Sequence, residues 1–265
     1  MAKYLDASLN FLKNSPIGEL LILVAGFPII VYMLFMIFAF WWKSKPLKGP
    51  DRWYLYVMSA YLFSFLWIFI SYADIIDKYR FLAFLPINLL FWIGPLLFQF
   101  SKSKLYNNFR FRGQDLKHYI IPIAHFSFYF FAFLLPSDQK FGLFKQEYYS
   151  LYKFYEDASF GIIMFLYCYF GYRFIKHEQW LVSDSTSRSE IVKISWMRRF
   201  FKLFFLASFI HLGHGLFFIL NSFFFKISIQ NNYLELMNLF VFMTCMGWLG
   251  FHAVIMKALP KPVKF

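Results

Sequence analysis

Seven apolar runs separated by polar connections constrain this 265-residue chain more than any other feature. Most of them are long enough to cross a hydrocarbon core of roughly 30 Å as a helix. The runs cover residues 17–42, 53–76, 81–101, 118–136, 158–172, 203–221 and 233–256. The fifth is long enough only if its polar flanks lie at the two interfaces. We therefore expect an all-α integral membrane protein in which residues 1–265 form a single domain, a bundle of seven transmembrane helices.

The positive charge of the connections alternates along the chain. Of the 27 Lys and Arg residues, 19 lie in the connections 43–52, 102–117, 173–202 and 257–265. Basic connections stay in the cytoplasm, so we expect the N-terminus outside and the C-terminus inside. The net charge of +13 then reflects topology and attraction to anionic lipid headgroups. It does not indicate a nucleic-acid partner, because the cations are spread over four connections.

Composition favours the same environment. Aromatic residues make up 25% of the chain, and Phe alone contributes 41 residues. A soluble domain with such a surface would aggregate, whereas lipid and neighbouring helices tolerate it. The bilayer is therefore the first expected partner, and the bacterial cytoplasmic membrane is the expected location. Both cysteines, Cys168 and Cys245, fall inside apolar runs, where we expect buried thiols and no disulfide.

Two further patterns predict local structure. Pro28, Pro86, Pro95 and Pro122 lie inside apolar runs, where each removes a backbone hydrogen bond and favours a kink. The Tyr-rich connection 137–157 predicts a short amphipathic helix on the outer membrane surface, and the Ser/Thr-rich stretch 183–189 predicts a flexible inner segment.

The polar residues inside the runs are concentrated in the outer half of the expected membrane. Because polar groups are costly in hydrocarbon, they usually face a bundle interior or a wet cavity. His211 and His214 are three residues apart and share one helix face. We expect an outward-facing pocket with His211 at its floor, although hydrogen bonding between helices without a ligand explains the pattern equally well. The candidate ligand contacts are Asp74, Asn88, His211, His214 and Asn238.

Metal and cofactor sites find little support in the sequence. The two outer histidines would need a third ligand to hold zinc, and none is apparent. His125 and His252 have similar expected depths and are the only pair that could ligate a haem between helices. Lys257 lies too close to the end of the seventh run for a retinal attachment site. We expect no metal, no cofactor and no catalytic residues.

Several segments together resemble a known family. They are Leu85-Pro-Ile-Asn-Leu-Leu-Phe-Trp-Ile-Gly-Pro-Leu-Leu-Phe98 with Lys102 and Lys104, Asp115-Leu-Lys-His-Tyr-Ile-Ile-Pro122, Ile194-Ser-Trp-Met-Arg-Arg199, Gly247-Trp-Leu-Gly-Phe251 and Leu259-Pro-Lys-Pro-Val-Lys-Phe265. This ordered set is similar to the bacterial seven-span sensor domain that precedes AraC-type regulators and some histidine kinases. The resemblance covers the chain from about Trp53 onwards.

The resemblance implies a sensor, with one departure. In the family a cytoplasmic effector follows the last span, whereas this sequence stops at Phe265. We therefore expect a stand-alone membrane sensor or accessory protein that relays to, or scaffolds, a separate membrane or cytoplasmic protein. The expected inner contact surface includes Arg198, Arg199 and Lys202. Two alternatives remain open: a structural subunit of a larger membrane assembly, and a membrane enzyme that acts on lipid.

Overall fold

The computed structural model describes residues 16–43, 49–72, 75–106, 109–145, 147–182 and 188–220. All regular structure in these ranges is helical, as the sequence predicts. Short 3₁₀ segments lie at Arg80–Leu82, Leu90–Trp92 and Gly113–Tyr119. The α-helices are α1 (Pro16–Lys43), α2 (Gly49–Tyr72), α3 (Ile75–Lys78), α4 (Ile93–Leu105), α5 (Ile120–Phe133), α6 (Ser137–Lys145), α7 (Glu147–Val182) and α8 (Arg188–Leu220).

Two helical segments of the described chain are long and apolar enough to cross a membrane. They are Gly49–Ser71 in α2 and Ala158–His177 in α7, and a shorter apolar segment covers Ile30–Trp42 in α1. The first two predicted runs coincide closely with α1 and α2. The seventh run, 233–256, lies outside the described residues, as does most of the Ser/Thr-rich stretch 183–189.

The third and fourth runs do not form single continuous helices. The third is divided into two 3₁₀ segments with turns between them, and its regular helix begins only at Ile93. Pro86 lies in these turns, where it has no N–H to donate, while Pro95 is tolerated in the first turn of α4. The fourth run begins as a 3₁₀ segment and continues as α5, which at 14 residues is about 21 Å long.

The fifth run is much longer as a helix than as an apolar stretch. α7 contains 36 residues and includes the Tyr-rich segment that the sequence places on the membrane surface. Only α6, of nine residues, stands as a separate short helix in the predicted outer connection. As a result Glu156 lies more than two turns inside α7, not at its beginning.

α7 and α8 pack along each other as an antiparallel pair. A seam of small residues on α7 makes the close approach possible. A Cβ at Gly171 would overlap the ring of Phe201, and one at Gly161 would stand 3.1 Å from Cδ2 of His211. Between these two points Sγ of Cys168 lies 3.8 Å from Oγ of Ser208. α4 packs between α2 and α7, and α1 packs on α2.

In the described part of the chain, several polar side chains are buried and many apolar ones are exposed, which is unusual for a soluble protein. The buried polar side chains include Asn88, Gln99, His125 and Glu156. Large apolar side chains instead cover much of the outer surface, including Phe35, Trp42, Ile120, Phe131, Leu206 and Phe209. Since water disfavours large exposed apolar patches, such a surface requires another covering.

Candidate functional site

The most polar part of the interior is a cluster of four side chains, Asn88, His125, Tyr129 and Glu156, which we call the polar cluster. Oε1 of Glu156 accepts a hydrogen bond from Nδ2 of Asn88 at 2.6 Å. The same oxygen lies 2.6 Å from Nε2 of His125. The Tyr129 hydroxyl donates to the other carboxylate oxygen, Oε2, at 3.2 Å. The cluster therefore joins the segment before α4 to α5 and α7.

The polar cluster is closed to solvent. The side chains of His125 and Glu156 are each only 4% exposed. Aromatic rings surround them: the Phe91 ring centroid lies 4.6 Å from that of His125, and Trp67 meets Tyr129 edge-on at 5.4 Å. A carboxylate buried among such rings is stable only when hydrogen-bond donors surround it. Asn88, His125 and Tyr129 provide three such donors to the Glu156 carboxylate.

Asn88 reaches Glu156 because the backbone before α4 is irregular. Its Oδ1 accepts the N–H of Leu90 at 3.3 Å, a local bond typical of Asn in turns, which leaves Nδ2 free for Glu156. Upstream, Phe84 has φ of 57°, the only positive φ of a non-glycine residue in the described ranges. The Phe84 ring is buried and packs edge-on against Phe128, Tyr129 and Phe144, which offsets the backbone strain.

Only one ring nitrogen of His125, Nε2, takes part in the polar cluster. Nδ1 is buried and has no hydrogen-bond partner within the described part of the chain. When Nε2–H donates to Glu156, Nδ1 carries a lone pair that can accept a hydrogen bond. Across the described ranges no three His, Cys, Asp or Glu side chains are placed to hold a metal ion.

The structure brings only part of the predicted ligand set together. Asn88 belongs to the polar cluster. His211 instead packs on Phe160, one turn along α7 from Glu156, with ring centroids 5.3 Å apart. His214 lies in α8, where only its backbone is described, and Asp74 and Asn238 lie outside the described residues.

Sequence reasoning missed the three strongest members of the polar cluster. It considered His125 only as a haem ligand, and it placed Glu156 at an interface because the fifth apolar run begins at residue 158. The helix continues through the Tyr-rich segment, so Glu156 lies within α7 and not at its start. The available signal was the ionisable pair itself, because His and Glu on neighbouring predicted spans are costly unless they meet.

The predicted inner surface is also described in part. Arg198 is half-buried on α8, whereas Arg199 and Lys202 are exposed. Nζ of Lys202 lies 5.9 Å from the ring centroid of Tyr172 on α7. These cations therefore lie near the end of the α7–α8 pair that is remote from the polar cluster.

An ion pair fixes the connection between α4 and α5. Nζ of Lys102 lies 2.9 Å from Oδ1 of Asp115, and the Arg112 N–H donates to Oδ2 at 2.9 Å. Burial raises the pKa of Asp115, but the hydrogen bonds from Arg112 and Lys102 outweigh it and leave this pKa below its ordinary value. The carboxylate therefore stays charged at neutral pH and holds the Gly113–Tyr119 segment against α4.

Comparison with protein-family models, curated proteins and solved structures finds no match for this chain.

Proposed function

We propose that this protein is a seven-helix sensor or accessory protein of the bacterial cytoplasmic membrane. One observation carries the proposal: a hydrogen-bonded His–Glu pair is buried inside a helical protein whose outer surface is rich in exposed Phe, Leu and Ile. Lipid covers such a surface, and ionisable groups inside a membrane bundle are usually functional. The alternating charge of the connections supports the same topology.

The polar cluster is the proposed receiving element of the sensor. A signal that changes its hydrogen bonds must favour one of two arrangements of the helices that meet there. α7 contributes Glu156 and packs along α8, which carries Arg198, Arg199 and Lys202 near its inner end. The output is then a change in this basic surface, which a separate protein detects. The candidate ligand contacts of the proposed sensor are Asp74, Asn88, His211, His214 and Asn238, of which Asn88 belongs to the polar cluster.

Topology is tested with alkaline phosphatase fusions, which are active only outside the cytoplasm. A fusion after Lys104 is expected to be inactive, and a fusion after Asp138 is expected to be active. The matched pair differs only in the connection that carries the enzyme. Activity at Lys104 would place the 19-cation side outside and overturn the proposed orientation.

Coupling is tested by labelling a cysteine placed at Arg199 in inverted membrane vesicles, after both native cysteines are replaced by Ala. We expect Glu156→Leu, which removes the hydrogen-bond acceptor of the cluster, to change the rate at which a membrane-impermeant maleimide labels the Arg199→Cys site. Gly142→Ala serves as the control, because an added Cβ there contacts nothing within 4 Å. Equal labelling rates in the Glu156→Leu and parent proteins would show that the polar cluster and the inner surface are independent.

A structural subunit remains the second candidate, because partner helices would cover the exposed aromatic surface as well as lipid does. Extraction in a mild detergent distinguishes the two. A complex of fixed stoichiometry supports the subunit, and a monomer supports the stand-alone sensor.

A further inference from the structure

An open groove runs along α2 and is lined by residues other than the four of the polar cluster. Its volume is about 470 Å³, within the range of roughly 300–1,000 Å³ that is typical of small-molecule sites. α2, the start of α4, the segment before α5 and α5 itself form its walls, and its exposed lining is apolar. The side chains that shape it most are Trp53, Tyr56, Phe63, Trp92, Phe111 and Ile123.

The groove has the length of one bilayer leaflet. Trp53 and Phe63 lie ten residues apart on α2, which corresponds to about 15 Å along the helix axis. Half of a hydrocarbon core of roughly 30 Å is the same distance. Trp53 begins the second apolar run on the predicted cytoplasmic side, so the groove extends from the inner headgroup level towards the middle of the bilayer.

Four cationic residues are the chain neighbours of residues that line the cytoplasmic end of the groove. Arg110 and Arg112 flank the lining residue Phe111, Arg52 precedes Trp53, and Lys117 follows the lining residue Leu116. All four cationic side chains are exposed. The nearby acid Asp115 is already paired with Lys102. A negatively charged group at this end therefore meets cations, while an attached hydrocarbon chain meets aromatic walls.

We propose that this groove binds an anionic phospholipid of the cytoplasmic leaflet, with an acyl chain along α2 and its phosphate among Arg110, Arg112 and Lys117. The inference goes beyond the proposed function, since it needs neither the polar cluster nor a signalling partner. Charge complementarity selects the occupant: a zwitterionic lipid offers the same chains but gains less from a cationic rim. A lipid fills the apolar groove with its acyl chain, whereas a soluble phosphate has no chain to place there. The groove therefore favours a lipid as its occupant.

Native mass spectrometry of the full-length protein in detergent tests the proposal. The protein is titrated with phosphatidylglycerol or with phosphatidylcholine of identical acyl chains, and retained lipid is counted. The first phosphatidylglycerol is expected to bind about tenfold more tightly or better, because each nearby Lys or Arg favours an anionic headgroup. Equal affinities would overturn the proposal.

Two sets of variants locate the site. Arg110→Gln, Arg112→Gln and Lys117→Gln together should abolish the preference for phosphatidylglycerol. The matched control removes equal charge from exposed positions of α7 and α8 with Lys176→Gln, Arg199→Gln and Lys202→Gln, and it should keep the preference. Equal losses in both triple variants would mean diffuse attraction and no site.

The acyl chain is tested separately. Ser59 lines the groove on α2, and Ser59→Phe should fill the groove and lower retention of phosphatidylglycerol. Glycerol 3-phosphate, which carries the charge without the chain, should not displace the lipid. Displacement by this soluble phosphate, or full retention by Ser59→Phe, would refute binding of the chain. The exposed charge variants keep the test decisive if Ser59→Phe fails to fold.

Discussion

Replacement of Glu156 by Leu is the sharpest test of the polar cluster. Leu fills most of the same space but removes the acceptor of Nδ2 of Asn88 and Nε2 of His125, each 2.6 Å away. A buried donor left without a partner costs about 1–3 kcal/mol. Breaking a buried charge-assisted pair from one side typically costs about 3–5 kcal/mol. We therefore expect Glu156→Leu to lower the free energy of unfolding by about 3–5 kcal/mol.

The expected change is large enough to measure as a melting temperature. In a protein of this size about 1 kcal/mol corresponds to roughly 2–4 °C, so Glu156→Leu should lower Tm by roughly 6–20 °C. Intrinsic fluorescence of the detergent-solubilised protein reports the transition at neutral pH. Glu156→Gln is the matched control, because its Oε1 still accepts from Asn88 and His125 and its amide can donate to Tyr129. We expect that variant to lose only about 1 kcal/mol.

A double variant distinguishes the contribution of the hydrogen-bond network to stability from that of side-chain packing. Replacing both partners of a buried hydrogen bond by apolar residues of similar shape is often close to neutral. Adding His125→Phe to Glu156→Leu should therefore recover part of the lost stability. If Glu156→Leu is as stable as Glu156→Gln, or if the two substitutions are strictly additive, the four side chains do not act as one network.

Three further predictions concern other parts of the fold. Gly171→Ala should lower the free energy of unfolding by about 1–3 kcal/mol, because its Cβ overlaps the buried Phe201 ring. Gly142→Ala is the control, because its Cβ contacts nothing within 4 Å. Equal melting temperatures of the two variants would refute the close packing. Phe84→Gly should be more stable than Phe84→Ala by about 1 kcal/mol in the same thermal assay, because only Gly adopts a positive φ without strain; the opposite order would contradict the assigned backbone. The pKa of Asp115 is lower in the folded than in the unfolded chain, so its stabilisation is complete above roughly pH 4 and is lost as the pH falls through the folded-state value. Melting curves of Asp115→Asn should lack this acid-dependent loss, and an unchanged acid profile would exclude the ion pair as its source.

Long apolar runs predicted the helices best at the first two runs, each of which forms one continuous helix. α1 and α2 begin and end within about four residues of the first two runs. The rule failed at the third run, because apolar residues indicate burial or lipid contact but not backbone regularity. There Pro86 removes a donor, and the turn at Phe84 adopts a positive φ. It also failed at α7, whose ends are rich in Tyr and charged residues and so do not count as apolar.

The candidate site shows the same limit. Asn88 could be selected from the sequence because an amide inside an apolar run is unusual. Its partners could not, since the pairing of His125 with Glu156 depends on how far each helix extends and on how α5 and α7 are placed. The length of α7 decides where Glu156 lies along the helix, and no local pattern encodes that length. Charge alternation, which predicted orientation, carries no information about contacts inside the bundle.

The small-residue seam between α7 and α8 has a mechanical consequence. With Gly161 against the backbone of Leu212 and Gly171 against the Phe201 ring, neither helix can slide along the other without a steric clash. We therefore expect the pair to move as one stiff rod. Glu156 lies towards one tip of this rod, and Arg199 lies towards the other. In the proposed sensor, a tilt that begins at the buried carboxylate would displace the distant arginine in proportion to the length of the rod, with no rearrangement in between.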